Sequence, residues 1–142
     1  MIETFVTRSF QESDYDAVVR LWQQADGVEL AEGDDRADIA TYLLRNPNLS
    51  RVAESQDRIV GAALCGHDGR RGLIYHLAVA PELRGRGLGR QLVGECVSGL
   101  RACGIKRTLI LVAKDNVAGR AFWLTQGFEE ISGALPLGMD LS

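Results

Sequence analysis

A turn rich in glycine and arginine is the segment of the sequence best suited to binding an anion. It follows an apolar stretch ending at Val79 and consists of Arg84, Gly85, Arg86, Gly87, Leu88, Gly89 and Arg90. Glycines let the backbone approach a ligand closely, and the start of a helix offers free N–H groups with a partial positive charge. The guanidinium groups add charged donors for phosphate oxygens. The turn is therefore predicted to bind a pyrophosphate.

The spacing of the glycines separates several phosphate-binding alternatives. A P-loop needs Gly-Lys-Ser/Thr at the helix start, and no such triplet or magnesium-anchoring hydroxyl follows here, which disfavours a nucleotide-binding module. A dinucleotide fingerprint reads G-x-G-x-x-G after the first strand, whereas Gly85, Gly87 and Gly89 are spaced G-x-G-x-G after the fourth. A flexible surface turn is the remaining alternative, and the agreement of strand, loop, helix and charge argues against it.

The periodicity of the apolar residues predicts the elements that position this turn. A strand over residues 4–8 precedes a helix capped by Ser13, and Asp34 or Asp35 caps a second helix that stops near Asn46-Pro47. The later elements are strands over residues 51–54, 59–65 and 73–79, a helix from Leu88 to just before Gly104, a strand over residues 108–112, a helix over residues 117–126, and final strands over residues 128–131 and 135–141.

This order, β-α-α-β-β-β-α-β-α-β-β, predicts a mixed sheet with helices on its faces. The short turn at residues 56–58 suits an antiparallel hairpin. The expected fold class is α/β (α+β), with a mixed, mostly antiparallel central sheet of about six to seven strands flanked by about four helices. With 142 residues, the chain is expected to form a single domain over residues 1–142.

The charge and cysteine content narrow the class of protein. A formal net charge of −3 argues against a nucleic-acid binder, which usually needs a basic surface. The three cysteines form no CxxC motif and no Cys/His cluster, so no metal site is expected. We expect a cytoplasmic protein with no membrane partner, because the sequence shows neither a signal peptide nor an apolar segment of about 20 residues.

Two stretches resemble sequence elements of the GCN5-related N-acetyltransferase (GNAT) superfamily. The first is Arg84-Gly85-Arg86-Gly87-Leu88-Gly89, which is similar to the R/Q-x-x-G-x-G/A element, preceded by residues 77–81, which resemble the fourth strand. The second runs from Asn116 through Phe122-Trp123 to Gly127-Phe128 and resembles the N-x-x-A-x-x-x-Y-x-x-x-G-F element. The element order also matches, so the resemblance covers nearly the whole chain. Residues 67–72 followed by 75–79 look like a small bacterial group of single-domain members.

The resemblance implies an N-acetyltransferase that binds acetyl-CoA as cosubstrate without a metal. In the superfamily the fourth and fifth strands splay apart, and the pantetheine arm lies in the opening. Carried over here, the backbone of Leu77, Ala78 and Val79 would pair with pantetheine amides. Backbone N–H groups from Arg84 to Gly89 would hold the pyrophosphate, beside the guanidinium groups of Arg84, Arg86 and Arg90 described above. Asn116 would contact the pantetheine arm, and Phe122 and Trp123 would lie near the sulfur, although Phe122 is equally well explained as a core residue.

The resemblance further implies direct attack of a neutral amine on the thioester in a ternary complex, and the sequence offers four candidate catalytic residues. A backbone N–H near Val79, where the strand is expected to bulge, is the candidate oxyanion donor. Many relatives place an acidic tyrosine beside the sulfur, but this chain has Trp123, whose indole donates a hydrogen bond without releasing a proton.

No glutamate lies in the fourth strand, where Tyr75 and His76 are the titratable groups and point to opposite faces. His76 is the candidate base because imidazole titrates near neutrality. A structural histidine and water-relayed deprotonation remain alternatives. The chain departs from the superfamily pattern in having Trp123 in place of the tyrosine and in lacking the glutamate. A non-catalytic acyl-CoA-binding or sensing domain therefore also remains an alternative.

Acidic residues between the first two helices suggest a cationic amine acceptor, either a small molecule or a peptide. They are Asp26, Glu29, Glu32, Asp34, Asp35 and Asp38, against a single arginine. In the superfamily this stretch often borders the acceptor site. A solvated acidic loop, with helix-start carboxylates favoured by the helix dipole, is the alternative. Apolar residues near the C-terminus suit either a last strand or a dimer contact, so monomer and homodimer both stay open.

Overall fold

The computed structural model describes residues 4–141 and contains one mixed sheet. Within those residues the strands, in spatial order, are β1 (Val6–Ser9), β2 (Arg51–Ser55), β3 (Arg58–His67), β4 (Gly72–Val79) and β5 (Thr108–Leu109). Neighbours are antiparallel except for β4 and β5, which are parallel. The α-helices of the same range are α1 (Tyr15–Gln24), α2 (Arg36–Arg45), α3 (Leu88–Ala102) and α4 (Val117–Thr125). The predicted fold class is confirmed.

Strand β3 runs through the middle of the sheet and is buried on both faces. Its even-numbered residues, such as Val60 and Leu64, belong to an apolar cluster that includes Trp22 of α1. Its odd-numbered residues Ala63 and Cys65 belong to a second cluster with Cys96 and Leu100 of α3. Because successive side chains of a strand point to opposite faces, α1 and α3 cover opposite sides of β3. This double burial explains why β3 reads as a nearly continuous apolar run.

The predicted start of the second helix is confirmed, but that of the first is wrong. Asp35 caps α2 by accepting a hydrogen bond from the backbone N–H of Asp38, at 2.8 Å. Residues 12–14 instead form a short 3₁₀ turn before α1, and no side chain caps that helix. The carboxylate of Asp14 accepts hydrogen bonds from the guanidinium of Arg8 and from the backbone N–H of Gln11, so the turn is fixed by an ion pair.

The two predicted C-terminal strands are absent from the described part of the chain, which leaves five strands where about six to seven were expected. Residues 129–141 lie exposed, with Leu135, Leu137, Met139 and Leu141 between 81% and 94% accessible. Their alternation has the period of a strand, but β5 forms ladder pairs only at Thr108 and Leu109, and no described strand lies beyond it. The strand predicted over residues 108–112 is shortened for the same reason.

No helix within residues 4–141 is long and apolar enough to cross a membrane.

Candidate active site

Strands β4 and β5 separate after two residue pairs and leave a cleft along the rest of β4. The pairs are Gly72 with Thr108 and Leu73 with Leu109, both at the beginning of β4. A cavity of about 530 Å³ occupies the opening. Its walls are residues 76–79 of β4, the glycine-rich turn, residues 110–113 after β5, and α4. The opening therefore joins the two sequence motifs on opposite walls of one site.

The glycine-rich turn forms the end of the cleft that is suited to an anion. Gly85 and Gly87 have φ values of +77° and +83°, which other residues adopt at a cost. Gly87 is the N-cap of α3, without a side-chain cap, and the first intrahelical bond runs from the Gln91 N–H to the Gly87 carbonyl. The N–H groups of the first turn of α3 are consequently left for a ligand.

The arginines of the turn are exposed and differ in position. Arg84 and Arg90 line the cleft together with Gly85, Gly87, Leu88 and Gly89. Arg86 is exposed as well but does not belong to the lining. Within residues 4–141, none of the three arginine side chains makes a hydrogen bond or an ion pair. Arg84 and Arg90 thus remain available to phosphate oxygens.

Helix α4 forms the opposite wall through Asn116, Phe122 and Trp123. The Asn116 side chain accepts a hydrogen bond from the Gly119 N–H at 3.0 Å and caps the helix. Phe122 packs edge-on against Trp123 with ring centroids 5.4 Å apart. A Cβ added to Gly89 would lie 3.4 Å from the Phe122 ring, an ordinary contact distance, so the start of α3 lies beside α4 at this point. Among the described residues, Trp123 packs against the cluster that contains Cys96 and Leu100, and Phe122 belongs to neither cluster.

The irregularity in β4 lies at His76 and Leu77, not at Val79 as the sequence suggested. Val79 pairs with Gly61 and Ala78 with Ala62, but Leu64 pairs with Tyr75, so two residues of β4 face one residue of β3. His76 has a φ of +52°, which is uncommon for a residue with a side chain. The chain bends at this bulge.

The backbone N–H of Val79 is directed toward the cleft. The Ala80 N–H donates to the Val60 carbonyl at 2.8 Å, which makes these two residues a hydrogen-bonded pair. Since such pairs alternate along an antiparallel ladder, Val79 and Gly61 form a non-hydrogen-bonded pair. The N–H of Val79 then faces the open edge of β4, away from β3.

His76 is paired with Asp34, an arrangement that the sequence analysis missed. The imidazole Nε2 lies 2.9 Å from the Asp34 Oδ2, and the two side chains are only 19% and 14% accessible. The same carboxylate oxygen accepts from the Ala31 N–H at 3.0 Å. The Trp22 indole N–H donates to the His76 carbonyl at 2.7 Å, and the two ring centroids are 5.0 Å apart. His76 lines the cleft and is held at both its ring and its backbone.

Tyr75 points away from this cleft. It packs against the cluster that contains Trp22 and does not line the cavity. Burial raises the pKa of its phenol. Of the four candidate catalytic residues, the structure brings His76, Val79 and Trp123 together and leaves Tyr75 outside.

The acidic residues of the α1–α2 connection have separate positions. Asp34 is paired with His76 and Asp35 caps α2, whereas Asp26 and Glu29 line a second cavity of about 300 Å³. Asp115, after β5, also lines it, and sequence reasoning did not single this residue out. The second cavity shares Asp26, Gly27, Ala113 and Asn116 with the larger cleft. An acidic opening therefore adjoins the cleft.

Comparisons with known proteins agree with this geometry. Residues 12–128 match the Acetyltransferase (GNAT) family. An acetyltransferase of Yersinia enterocolitica is 39% identical over 111 residues, which span 78% of each chain. The crystal structure of an acetyltransferase from Streptococcus agalactiae has a TM-score of 0.80 at 19% identity and covers 99% of this chain and 93% of that one. A Mycobacterium tuberculosis protein solved in complex with CoA has a TM-score of 0.72 at 24% identity, with coverages of 93% and 76%.

The chain belongs to the acetyltransferase (GNAT) family, because the family match spans most of it and the curated bacterial relatives exceed a third in identity. Its activity is accordingly that of an N-acetyltransferase with an acyl-CoA donor. The family match ends at residue 128, so the exposed residues 129–141 lie beyond it.

Proposed function

We propose that this chain transfers the acetyl group of acetyl-CoA to a primary amine of a cationic acceptor by direct attack in a ternary complex. The observation that carries the proposal is the cleft between β4 and β5, which runs from the uncapped start of α3 to His76. One end offers N–H groups and arginines to a pyrophosphate, and the other offers a titratable side chain and a free backbone N–H to the reacting group.

The residues of the cleft fit the parts of acetyl-CoA in order. The turn at Gly85–Gly87, with Arg84 and Arg90, is suited to the pyrophosphate. The free edge of β4 offers backbone groups to an extended arm that carries amides, as an added strand would. Phe122 and Trp123 offer an apolar wall where that arm ends. Acetyl-CoA is a substrate here, and its thioester supplies the activated acyl group.

Each proposed step uses one group of the chain. His76 takes a proton from the attacking amine, and the Val79 N–H stabilises the negative charge that develops on the thioester oxygen. The amine nitrogen forms a bond to the carbonyl carbon, and the bond from that carbon to sulfur breaks. The departing thiolate needs no acid near neutrality, since thiols have a pKa of about 8.5. Trp123 therefore need not supply a proton.

Binding of acetyl-CoA by calorimetry tests this proposal against one pair of variants. Gly87→Asp puts a carboxylate at the start of α3, where the pyrophosphate is expected, and we expect binding at least about tenfold weaker, or about 1.4 kcal/mol. Gly94→Asp is the matched control, because Gly94 is exposed on the same helix and a Cβ there meets nothing within 4 Å. Equal binding by both variants would contradict the assignment of the site.

The acceptor proposal depends on the acidic second cavity beside the cleft. Three carboxylates line this cavity, those of Asp26, Glu29 and Asp115. They are close in sequence to Gly27 and Asn116, which line both cavities. A second cationic group on the acceptor would be attracted there while its primary amine reaches His76. A lysine-containing peptide or a polyamine has this chemistry.

Kinetics with paired acceptors test the acceptor proposal. Glu29→Gln and Asp115→Asn are expected to raise the KM of a diamine about two- to fivefold each, because an exposed ion pair contributes less than about 1 kcal/mol. The KM of a monoamine of the same length should not change. Glu32→Gln is the control, since Glu32 is exposed and lines neither cavity. A KM for the diamine that is insensitive to both variants would exclude a role for these carboxylates.

A further inference from the structure

We propose that Asp34 is a positioning residue that fixes the tautomer of His76, so that Nδ1 of the imidazole receives the proton of the attacking amine. The inference rests on the proposed function and adds a residue to it. Its basis is the hydrogen bond of 2.9 Å between His76 Nε2 and Asp34 Oδ2, made at the wall of the cleft.

The direction of this hydrogen bond follows from the chemistry of the two groups. An ionised carboxylate only accepts hydrogen bonds, so Nε2 of a neutral His76 must carry the hydrogen. The lone pair of the ring then lies on Nδ1, which makes no hydrogen bond to any other part of residues 4–141. A base needs such a lone pair, and a carboxylate behind the imidazole stabilises the imidazolium that forms.

Both partners are held in place by further contacts. The Asp34 carboxylate also accepts from the Ala31 N–H, and the Asp34 carbonyl accepts from the Tyr15 hydroxyl at 2.7 Å. The His76 carbonyl accepts from the buried Trp22 indole, and the positive φ of His76 places its ring at the bulge of β4. The dyad therefore joins the α1–α2 connection to the reacting strand.

Other charged and titratable groups surround His76 less directly. Tyr75 on β4 has its ring centroid 6.4 Å from that of His76, and Tyr15 of α1 reaches the dyad through the Asp34 carbonyl. Asp26, Arg84 and Arg90 line other parts of the same cleft. Asp34 is the carboxylate in direct contact with the imidazole among the described residues, so it is the charged group placed to orient the ring.

The amine and the thioester account for every bond and proton in the proposed reaction, and no third reactant is needed. The amine nitrogen gives its lone pair to the thioester carbon, the bond from carbon to sulfur breaks, and the sulfur leaves with that electron pair. The proton of the amine passes to Nδ1 of His76. The imidazolium then releases the proton to the thiolate or to water, which restores the starting tautomer.

The response of kcat relative to KM separates positioning from a structural role. Asp34→Asn keeps an oxygen that can accept from Nε2 but removes the charge. We expect kcat to fall about tenfold while KM and the melting temperature stay near those of the wild type, because the imidazolium that forms during proton transfer loses the carboxylate behind it. Removal of the base itself, in His76→Gln, should lower kcat about 100-fold.

Asp35→Asn is the matched control. It removes the neighbouring carboxylate, which caps α2 and makes no contact with His76, and asparagine caps a helix as well as aspartate does. Its kcat and its KM should match those of the wild type. If Asp34→Asn leaves kcat unchanged and instead raises KM or lowers the melting temperature, Asp34 only ties the loop to β4 and the proposal is wrong.

Nitrogen-15 chemical shifts of the imidazole test the tautomer independently of turnover. We expect His76 protonated at Nε2 in the neutral form, assigned with a His67→Gln variant because the chain contains two histidines. Protonation at Nδ1 would overturn the inference. A wild type that binds acetyl-CoA and acetylates no amine would instead overturn the proposed function, and the chemical shifts would still decide the role of Asp34.

Discussion

Replacement of Trp22 by phenylalanine should destabilise the fold and slow the reaction together. Trp22 is fully buried and its indole N–H donates to the His76 carbonyl at 2.7 Å. Phenylalanine cannot donate, so the partly buried His76 carbonyl loses its partner at a cost of about 1–3 kcal/mol. The smaller ring also leaves a cavity that costs about 1 kcal/mol. The free energy of unfolding is therefore expected to fall by about 2–4 kcal/mol, which corresponds to about 7–13 °C in Tm.

Urea unfolding measures the loss of stability, and the same preparation gives kcat below the transition. We expect kcat to fall because the bulge that presents His76 loses the hydrogen bond to its carbonyl. Trp123→Phe is the control for the urea measurement only, because Trp123 lines the cleft. Trp123 is half-buried, its indole N–H has no hydrogen-bond partner within residues 4–141, and the substitution should lower the free energy of unfolding by about 1 kcal/mol or less. A cost below about 1 kcal/mol for Trp22→Phe would refute the importance of this hydrogen bond.

Two further variants test the turn before α1 and the turn before α3. Burial raises the pKa of Asp14, but the hydrogen bonds from Arg8 and from the Gln11 N–H outweigh it, and the pKa is lowered overall. The stability that the carboxylate contributes is therefore complete above the ordinary range of aspartate and is lost as the pH falls through the lower, folded-state pKa. Asp14→Asn should cost about 1–2 kcal/mol near neutrality and flatten the acid dependence of urea unfolding; an unchanged acid slope would contradict this. Gly87→Ala should lower the free energy of unfolding by about 1–2 kcal/mol, because Gly87 has a φ of +83°. Gly94→Ala, at an open helical position, should raise that free energy by about 0.5–1 kcal/mol. Thermal melts in which Gly87→Ala is the more stable variant would contradict the backbone argument.

Local patterns in the sequence predicted most elements that build the cleft. The apolar stripe of α3, from Leu88 to Leu100, is a signal that needs no tertiary information, and the structure buries it. The glycine spacing before it predicted an open helix start, and positive φ values at Gly85 and Gly87 explain why glycine is required there. These features depend on local backbone geometry, and the residue types and their spacing are therefore enough to predict them.

The pairing of His76 with Asp34 could not be predicted in the same way. The two residues are 42 positions apart, and the sequence offered Asp34 as a helix cap or as part of an acidic surface. The contact depends on how the α1–α2 connection packs against β4, which Tyr15 and Trp22 fix through long-range hydrogen bonds. Histidine, asparagine and aspartate are enriched at positive φ among residues with a side chain, but such positions are uncommon even for them, so the residue type alone did not identify the bulge at His76.

The prediction of two C-terminal strands was wrong for a different physical reason. Residues 135–141 alternate in the period of a strand, yet a strand forms only where another offers its backbone groups. β5 stops pairing with β4 after Leu109, because the two strands diverge to form the cleft. Within the described residues no strand pairs with the other edge of β5, so residues 135–141 have no ladder partner.

The release of CoA in the presence of amines tests the central claim most directly. The free thiol of CoA would be followed with acetyl-CoA alone, and then with a panel of monoamines, diamines and lysine-containing peptides. We predict release that depends on the amine, saturates with acceptor and, at subsaturating acetyl-CoA, is at least about tenfold slower in Gly87→Asp but unchanged in Gly94→Asp. Binding of acetyl-CoA without release of CoA by any amine would contradict the account and identify a domain that binds the thioester without using it.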